Sequence, residues 1–245
     1  MSAYPYIGVF ALKEINFQIR LVPIYGLVFL LAVLIALIGN QTISAFSENT
    51  VLPGRHTIVV DAGHGGEDGG ATSCTGVLES NLNLEIALRL NDLLRFMGYQ
   101  TYMVRTTDTA LHTQGDTIAA RKASDLKARV AIAEKTDNCI WVSIHQNYFS
   151  DDRYSGAQVF YAATAESDIL GKQLQKNIIK YLNPFSHRQA KKIAGIYLFE
   201  HLPCTGILVE CGFLSNREEE ALLITDAYQK QLAGVIAITV GSFLT

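Results

Sequence analysis

Along most of the chain, the spacing of hydrophobic residues alternates between the two-residue repeat of a strand and the repeat of about 3.6 residues of a helix. Residues 56–60 (HTIVV) form a short β-branched run, which predicts a first strand. From Leu82 to Met97, apolar residues then recur at helical spacing. Ser80 is the expected N-cap of this helix, and Gly98 is its expected stop. A strand, a glycine-rich loop and a helix are therefore expected in that order.

The same periods predict the remaining elements. Further strands are expected at 100–104, 140–144, 157–161, 195–199 and 206–210, and helices at 117–134, about 166–181 and about 227–243. A capping box of Ser215 and Glu218 predicts one more short helix. The helix at 117–134 is expected to direct four apolar residues to the core: Ile118, Leu126, Val130 and Ile132. Because strands alternate with helices, we expect a single α/β domain with a central, mostly parallel sheet and helices on both faces.

The N-terminal segment has a different pattern. Residues 21–39 (LVPIYGLVFLLAVLIALIG) form an uncharged run of 19 residues, close to the roughly 20 that cross a bilayer core. Lys13 and Arg20 precede this run, and the next basic residue is Arg55, which predicts an inside N-terminus and an exported remainder. We therefore expect a cytoplasmic segment at 1–20, a transmembrane signal anchor at 21–39, a linker at 40–54 and a catalytic domain at 55–245.

Two alternatives exist for the apolar segment. A buried core helix agrees poorly with its length and its uniformly apolar composition. A cleaved signal peptide is the closer alternative, because residues 43–45 (ISA) resemble a small-residue cleavage site. The apolar region is longer than the usual 7–15 residues of a signal peptide, however. The length therefore favours an uncleaved anchor, with the membrane as a partner and the domain on the extracytoplasmic side.

Composition excludes two further classes. The 245 residues are 49% hydrophobic, which supports a sizeable core and excludes a disordered chain. The net charge is −3 and no block of lysine or arginine is present, so no nucleic-acid partner is expected. The cysteines form no C-x-x-C pair, so buried or free thiols are expected, and one disulfide is left open. These cysteines are Cys74, Cys139, Cys204 and Cys211.

The stretch VVDAGHGGEDGG at 59–70 carries the first candidate chemistry. A glycine-rich turn after a strand can bind a phosphate, or a histidine on such a turn can bind a metal. The dinucleotide motif requires a third glycine where Asp68 stands, and a helix that opens at once rather than near Ser80. No G-K-[ST] follows either. These departures argue against a nucleotide site.

The metal alternative brings distant residues together. His64, His145 and Glu210 each stand at the carboxyl end of a predicted strand, where sites form in α/β sheets. Glu79 precedes the first helix, and the loop 65–78 can fold back to bring it to His64. Two histidines and one carboxylate are a known zinc set, which leaves Glu210 as a second carboxylate and candidate base. Taken singly, each histidine and Glu79 also has an ordinary structural interpretation, and four other histidines are expected at the surface: His56, His112, His187 and His201.

Three blocks of the sequence resemble one enzyme family. DAGHGGEDGGA followed by LES, then SIHQN, then ILVECGFLSNREEEALL, are similar to zinc-dependent N-acetylmuramoyl-L-alanine amidases, which cleave bacterial peptidoglycan. The resemblance covers roughly residues 56–244. The short, membrane-anchored architecture is most similar to the germination-specific spore-cortex amidases. Gln146 and Cys74 depart from the family pattern, and both bear on substrate detail.

The resemblance implies a site and a reaction. His64, Glu79 and His145 would hold one zinc ion per chain, and Glu210 would be the catalytic glutamate. The reaction would hydrolyse the amide bond between N-acetylmuramic acid and L-alanine in peptidoglycan. Arg105 is the candidate for binding the anionic stem peptide, because it too ends a predicted strand.

Other assignments are left open. Arg121 and Arg129 are alternatives to Arg105 for the stem peptide, and each can equally be a solvated surface cation. A zinc peptidase acting within the stem, or a wall-binding module without catalysis, are alternative functions. Because all four proposed site positions are filled, the second alternative is disfavoured. The identity of an activating protein partner is also open.

Overall fold

A computed structural model describes residues 56–245, in which six strands form one sheet. The strands are β1 (Thr57–Ala62), β2 (Gln100–Met103), β3 (Cys139–Asn147), β4 (Gln158–Tyr161), β5 (Lys191–Lys192) and β6 (Thr205–Phe213). Their order across the sheet is β2-β1-β3-β6-β4-β5. Neighbouring strands are parallel except for the antiparallel pair β4 and β6. The expected α/β domain with a mostly parallel sheet is confirmed.

Helices cover both faces of this sheet. They are α1 (Glu79–Phe96), α2 (Ile118–Glu134), α3 (Ala165–Tyr181), α4 (Tyr197–His201), α5 (Arg217–Leu223) and α6 (Asp226–Phe243). The larger core packs α1, α3 and α6 against one face, and the smaller core packs α2 and α4 against the other. Because the central strands are covered on both sides, they are almost continuously apolar, as parallel strands in such sheets usually are.

The register of the central strands determines where the site forms. In β1 and β3, Ala62 pairs with Ile144, and in β3 and β6, His145 pairs with Glu210. The carboxyl ends of the three strands therefore meet at one edge of the sheet. The turn after β1 lies at the same edge, because the Gly63 N–H donates to the Ile144 carbonyl at 3.0 Å.

The start of α1 differs from the sequence prediction. The helix begins at Glu79, with Leu78 in the N-cap position and no side-chain cap, so the prediction of Ser80 as the N-cap was wrong. The glycine-rich loop supplies the missing acceptors instead. The Glu79 and Ser80 N–H groups donate to the carbonyls of Ala71 and Gly69 at 2.9 and 3.0 Å. The end of α1 agrees with the prediction, since Gly98 follows it with a φ of +85°.

The prediction of a strand at 195–199 was also wrong. The short helix α4 begins at Tyr197, and its Leu198 and Phe199 pack into the smaller core. The true edge strand, β5, is two exposed lysines, Lys191 and Lys192. A two-residue strand of exposed lysines carries no hydrophobic period, which is why sequence patterning missed it.

The capping box predicted at Ser215 and Glu218 is replaced by another cap. The Asn216 side chain accepts from the N–H groups of Glu218 and Glu219 and so caps α5. The Ser215 hydroxyl instead accepts from the Phe149 N–H at 3.2 Å. The helix itself is present, so only its first residue was misplaced.

The predicted anchor at 21–39 and the linker at 40–54 lie outside the described residues. Between residues 56 and 245, the structure contains no helix with the length and apolar character needed to span a membrane. All four cysteines lie in the described part and are free, with Cys139 and Cys211 buried. The expectation of buried or free thiols is therefore confirmed.

Candidate metal centre

His64 lies on the turn after β1, and its backbone is left-handed, with a φ of +60°. This conformation is unfavourable for a residue with a side chain, so surrounding bonds must hold it. The Arg129 guanidinium donates to the His64 carbonyl at 3.1 Å. The His64 Nδ1 lies 2.9 Å from Asp68 Oδ2. The turn therefore presents the other ring nitrogen, Nε2, to Glu79.

Glu79 lies between two histidine rings. Its Oε1 is 3.3 Å from His64 Nε2 and 3.0 Å from His145 Nδ1. Glu79 reaches this place because the loop 65–78 folds back, and the Ala71 N–H donates to Glu79 Oε2 at 3.0 Å. The structure thus brings together His64, Glu79 and His145, which the sequence indicated as a group.

These three side chains have the donor chemistry of a metal site. One ligand atom from each of them lies within 4.8 Å of the others. Two imidazole nitrogens and one carboxylate oxygen are a set used by catalytic zinc sites, which keep a further position open. The residues present therefore fit a zinc ion.

The charges in the cluster also favour a cation. Burial alone would raise the pKa of Glu79, but hydrogen bonds with His145 and His64 hold it well below its usual range. Burial alone would lower the pKa of His64, whereas Glu79 and Asp68 together raise it to about 9. Without a metal, the His64 ring is therefore protonated at neutral pH. The surrounding carboxylates thus stabilise a positive charge at the position where a cation would bind.

Buried amides hold Glu79 in place, and sequence reasoning missed them. Asn83 Nδ2 donates to Glu79 Oε1 at 3.2 Å and to the Gly63 carbonyl at 3.2 Å. The Gln146 N–H donates to the same Glu79 oxygen at 3.1 Å. Gln146 also donates from Nε2 to Asn83 Oδ1 at 3.2 Å. The sequence feature that could have identified Asn83 is its spacing, because it lies one helical turn after Glu79.

Two glycines permit the close approach of the loop to these side chains. A Cβ on Gly63 would lie 2.2 Å from the His145 ring. A Cβ on Gly70, whose φ is +69°, would lie 2.6 Å from Glu79 Oε2 and 2.9 Å from His64 Cδ2. At these two positions, the absence of a side chain therefore allows backbone contact with the candidate ligands.

Substituting Gly63→Ala is expected to displace the His145 ring. Overpacking of this kind costs about 1–3 kcal/mol of unfolding free energy, and zinc binding should weaken with the ring displaced. Denaturant unfolding and zinc titration measure the two effects. Gly234→Ala in α6 is the matched control, because its Cβ meets nothing within 4 Å and alanine favours a helix. Equal behaviour of the two variants would contradict the prediction.

Glu210 lies beside the cluster without a hydrogen-bond partner. Its Oε2 is buried and unpaired among the described residues. Burial raises the pKa of Glu210 to about 7; the positive charges of His145 and His64 oppose this rise and the charge of Glu79 adds to it. A carboxyl with a pKa near 7 can both accept and donate a proton at neutral pH, which general acid–base catalysis requires. An unpartnered buried carboxyl is costly, so this arrangement points to chemistry.

A cavity of about 440 Å³ opens over these residues. His64, His145 and Glu210 lie in it, and apolar side chains form part of its wall: Ile118, Ile196, Leu198 and Phe199. The prediction that Ile118 faces the core was wrong, since this residue is 66% exposed. It lies in the first turn of α2, where the helix passes the cavity mouth.

Arg105 is buried, with only 4% of its surface exposed. Its guanidinium donates to the carbonyls of Ala62, Gly63 and Ser80 at 2.9, 3.0 and 2.7 Å. It also donates to the Thr107 carbonyl at 3.1 Å. Arg105 therefore joins the end of β1 to the start of α1. This geometry favours a structural role over the predicted contact with substrate.

The two alternative arginines differ from each other. Arg129 is buried and forms ion pairs with Asp61 and Asp125, so it stabilises the turn beneath His64. Arg121 lies on the cavity wall and pairs with Glu67. His112, which was expected at the surface, lies in the same cavity, with its Nε2 3.1 Å from Glu67 Oε1.

Known proteins are similar to this chain in sequence. The sequence profile of the family described as N-acetylmuramoyl-L-alanine amidase (Amidase_3) matches residues 58–241. The germination-specific N-acetylmuramoyl-L-alanine amidase of Bacillus subtilis is 39% identical to the chain over 181 residues. That similarity covers 73% of this chain and 76% of the relative.

Solved structures share the fold. The CwlD amidase from Clostridioides difficile, solved in complex with the GerS lipoprotein, is 34% identical with a TM-score of 0.75. The similarity covers 78% of this chain and 98% of that one. An N-acetylmuramoyl-L-alanine amidase from Clostridium difficile is 31% identical with a TM-score of 0.66, covering 78% of this chain and 97% of that one.

Proposed function

Since the chain belongs to the N-acetylmuramoyl-L-alanine amidase family and is an amidase that acts on peptidoglycan, we propose that it works with one zinc ion per chain. The ligands would be His64, Glu79 and His145. The observation that carries this proposal is the convergence of these three donor atoms beside Glu210, whose buried Oε2 has no partner within residues 56–245. The bond cleaved joins the lactyl carbonyl of N-acetylmuramic acid to the amino group of L-alanine.

Zinc, when bound by such a set, lowers the pKa of water to about 7 and polarises a carbonyl. The protein supplies the proton transfers. Glu210 accepts a proton from the attacking water and delivers it to the departing nitrogen of L-alanine. Burial keeps the pKa of Glu210 near 7, so that the carboxylate can take the proton and the acid can return it.

The neighbouring residues keep these groups in position. Asp68 accepts a hydrogen bond from the His64 Nδ1–H, which leaves Nε2 free for the metal. Asn83 and the Gln146 N–H both donate to Glu79 Oε1, which keeps this carboxylate directed at the cluster. The reacting groups are thus held before substrate binds, which lowers the entropic part of the barrier.

The substrate, location and partner are further parts of the proposal. We infer that the substrate is spore-cortex peptidoglycan, on the basis of the 39% identity with a germination-specific relative. We also infer that the apolar segment at 21–39 anchors the enzyme with its catalytic domain outside the membrane. A similar amidase was solved with a lipoprotein, which supports a protein partner of the same kind here.

Mass spectrometry of purified wall, digested by the zinc-loaded full chain with and without a chelator, tests the proposal. Peptides with a new amino group on L-alanine are expected, and the chelator should abolish them. New amino groups further along the stem would instead support a stem peptidase. Absence of any cleavage would support a module that only binds the wall.

Substituting Asp68→Asn is expected to weaken zinc binding by about 10- to 100-fold, as loss of a carboxylate that orients a ligating histidine usually does. The amide cannot fix the His64 tautomer as the carboxylate does. Competition with a chromogenic chelator measures the dissociation constant. Glu67→Gln is the control, because Glu67 pairs with His112 and Arg121 rather than with a candidate ligand. An unchanged zinc affinity in Asp68→Asn would contradict the orienting role.

A further inference from the structure

A second cavity, of about 820 Å³, lies beside the start of β4. Part of its wall is Gln158 in β4, which pairs directly with Glu210 in the antiparallel register of β4 and β6. Directly opposed residues of antiparallel strands face the same side of a sheet, with Cβ atoms about 5 Å apart. Gln158 therefore brings one wall of the second cavity to within one strand of the catalytic carboxyl.

Arg188 gives this cavity a positive charge that has no direct ion-pair partner among the described residues. Its guanidinium lies over the Phe213 ring at 4.7 Å, and it donates to the Ser155 carbonyl at 2.7 Å and to Gln158 Oε1 at 3.0 Å. These contacts are with neutral groups. Within residues 56–245, no carboxylate lies within ion-pair distance of Arg188. By contrast, Arg121 in the first cavity is paired with a carboxylate.

Two other charged groups, one basic and one acidic, lie in the wall of this cavity and leave it with a net positive charge. Lys191 lies in the wall and is exposed. Glu219 is the acidic residue of the wall and offsets part of the Arg188 charge, but its two oxygens accept backbone N–H groups, from Gly156 at 2.7 Å and from Phe213 at 2.8 Å, rather than the guanidinium. The guanidinium on its aromatic base and the nearby lysine thus suit a carboxylate, which arginine binds through parallel hydrogen bonds.

The substrate carries such carboxylates on one side of the scissile bond only. In the intact polymer, the lactyl carboxyl of muramic acid is consumed in the amide bond, so the glycan strand of N-acetyl sugars is uncharged. The stem peptide keeps its free carboxylates. We propose that the cavity around Arg188 and Lys191 binds a carboxylate of the stem peptide, so that the peptide runs from Glu210 past Gln158 to Arg188. This proposal rests on the amidase function proposed above.

Two synthetic substrates test the proposal with the zinc-loaded full chain. One is an N-acetylmuramoyl tripeptide with free carboxylates, and the other is the same compound with its carboxylates converted to amides. The wild-type enzyme is expected to cleave the charged compound with a kcat/KM about tenfold higher, mainly through KM. Arg188→Gln should bring the ratio of the two kcat/KM values close to one.

Two lysine variants provide a matched pair. Lys191→Gln changes an exposed residue of the cavity wall and should lower the ratio without affecting folding. Lys192→Gln removes the same charge from the next residue, which does not line the cavity, and should leave the ratio unchanged. Thermal unfolding of Arg188→Gln checks that this variant is folded, and Lys191→Gln carries the test if it is not.

The outcomes separate the two proposals. Cleavage of both compounds at equal efficiency by the wild-type enzyme would overturn the role of the second cavity and leave the amidase function intact. A preference that survives both Arg188→Gln and Lys191→Gln would also overturn it, and would indicate that another surface binds the carboxylate. Failure to cleave either compound would overturn the proposed function, and the proposed subsite with it.

Discussion

Glu210→Gln is expected to lower turnover by about 10²- to 10⁴-fold, the usual contribution of a general acid–base group, while zinc content stays unchanged. The amide has nearly the same shape as the carboxyl but cannot accept a proton. Glu210 lies beside the candidate ligands rather than among them, because the cluster comprises His64, Glu79 and His145. The variant should therefore bind zinc as the wild-type protein does. Turnover on purified wall and zinc content by atomic absorption measure the two properties.

Stability provides a second measure for this variant. Burial raises the pKa of Glu210 to about 7, so the ionised carboxyl is unfavourable in the folded state. A neutral amide removes that cost, and Glu210→Gln should be at least as stable as the wild type at alkaline pH. Glu218→Gln, at an exposed position of α5, is the control and should keep full activity. Near-normal turnover in Glu210→Gln would show that another group carries the proton.

The general plan of this protein could be predicted because its strands are strongly patterned. The apolar runs that became β1, β3 and β6 are each followed by a polar residue, and parallel strands end at one edge. That rule alone places His64, His145 and Glu210 close together. Adding Glu79 required the assumption that the glycine loop folds back, and the bond from the Ala71 N–H to Glu79 demonstrates that it does.

Structure and expectation differ where tertiary contacts replaced local signals. Ser80 looks like an N-cap, yet the loop carbonyls of Gly69 and Ala71 satisfy the first N–H groups of α1. Arg105 follows a strand as the candidate ligands do, but its donors are used by backbone carbonyls inside the protein. Neither outcome follows from residue type or spacing, because each depends on how a distant loop is placed.

The roles of the polar residues that support the site were equally difficult to predict from the sequence. Asp68 is four residues beyond His64 in the motif, a spacing that an extended loop would not bring together. The tight turn does so, with His64 Nδ1 2.9 Å from Asp68 Oδ2. Gln146 was noticed only as a departure from a family pattern, whereas its side chain donates to Asn83 and so joins β3 to α1. Sequence identified the candidate ligands and the candidate base more readily than the residues that hold them in place.

His64→Ala is expected to remove zinc and, with it, activity. The cluster has three candidate ligands, and two remaining side chains hold zinc far more weakly than three. A metal that binds only the folded protein stabilises it according to concentration and affinity, so adding zinc should raise the Tm of the wild type and of Glu210→Gln. The Tm of His64→Ala should not respond to zinc. Calorimetric or fluorescence melting curves with and without zinc measure this difference.

The comparison of the two variants separates binding from catalysis. His56→Ala is the control for His64→Ala, because His56 is exposed directly before β1 and lies outside the cluster and both cavities, and it should keep both zinc and turnover. Loss of activity in His64→Ala with zinc retained at one ion per chain would show that the ligand set is wrong. Loss of zinc in Glu210→Gln would instead place Glu210 among the ligands and remove the base from the mechanism. The paired results therefore assign each residue independently of the resemblance to other amidases.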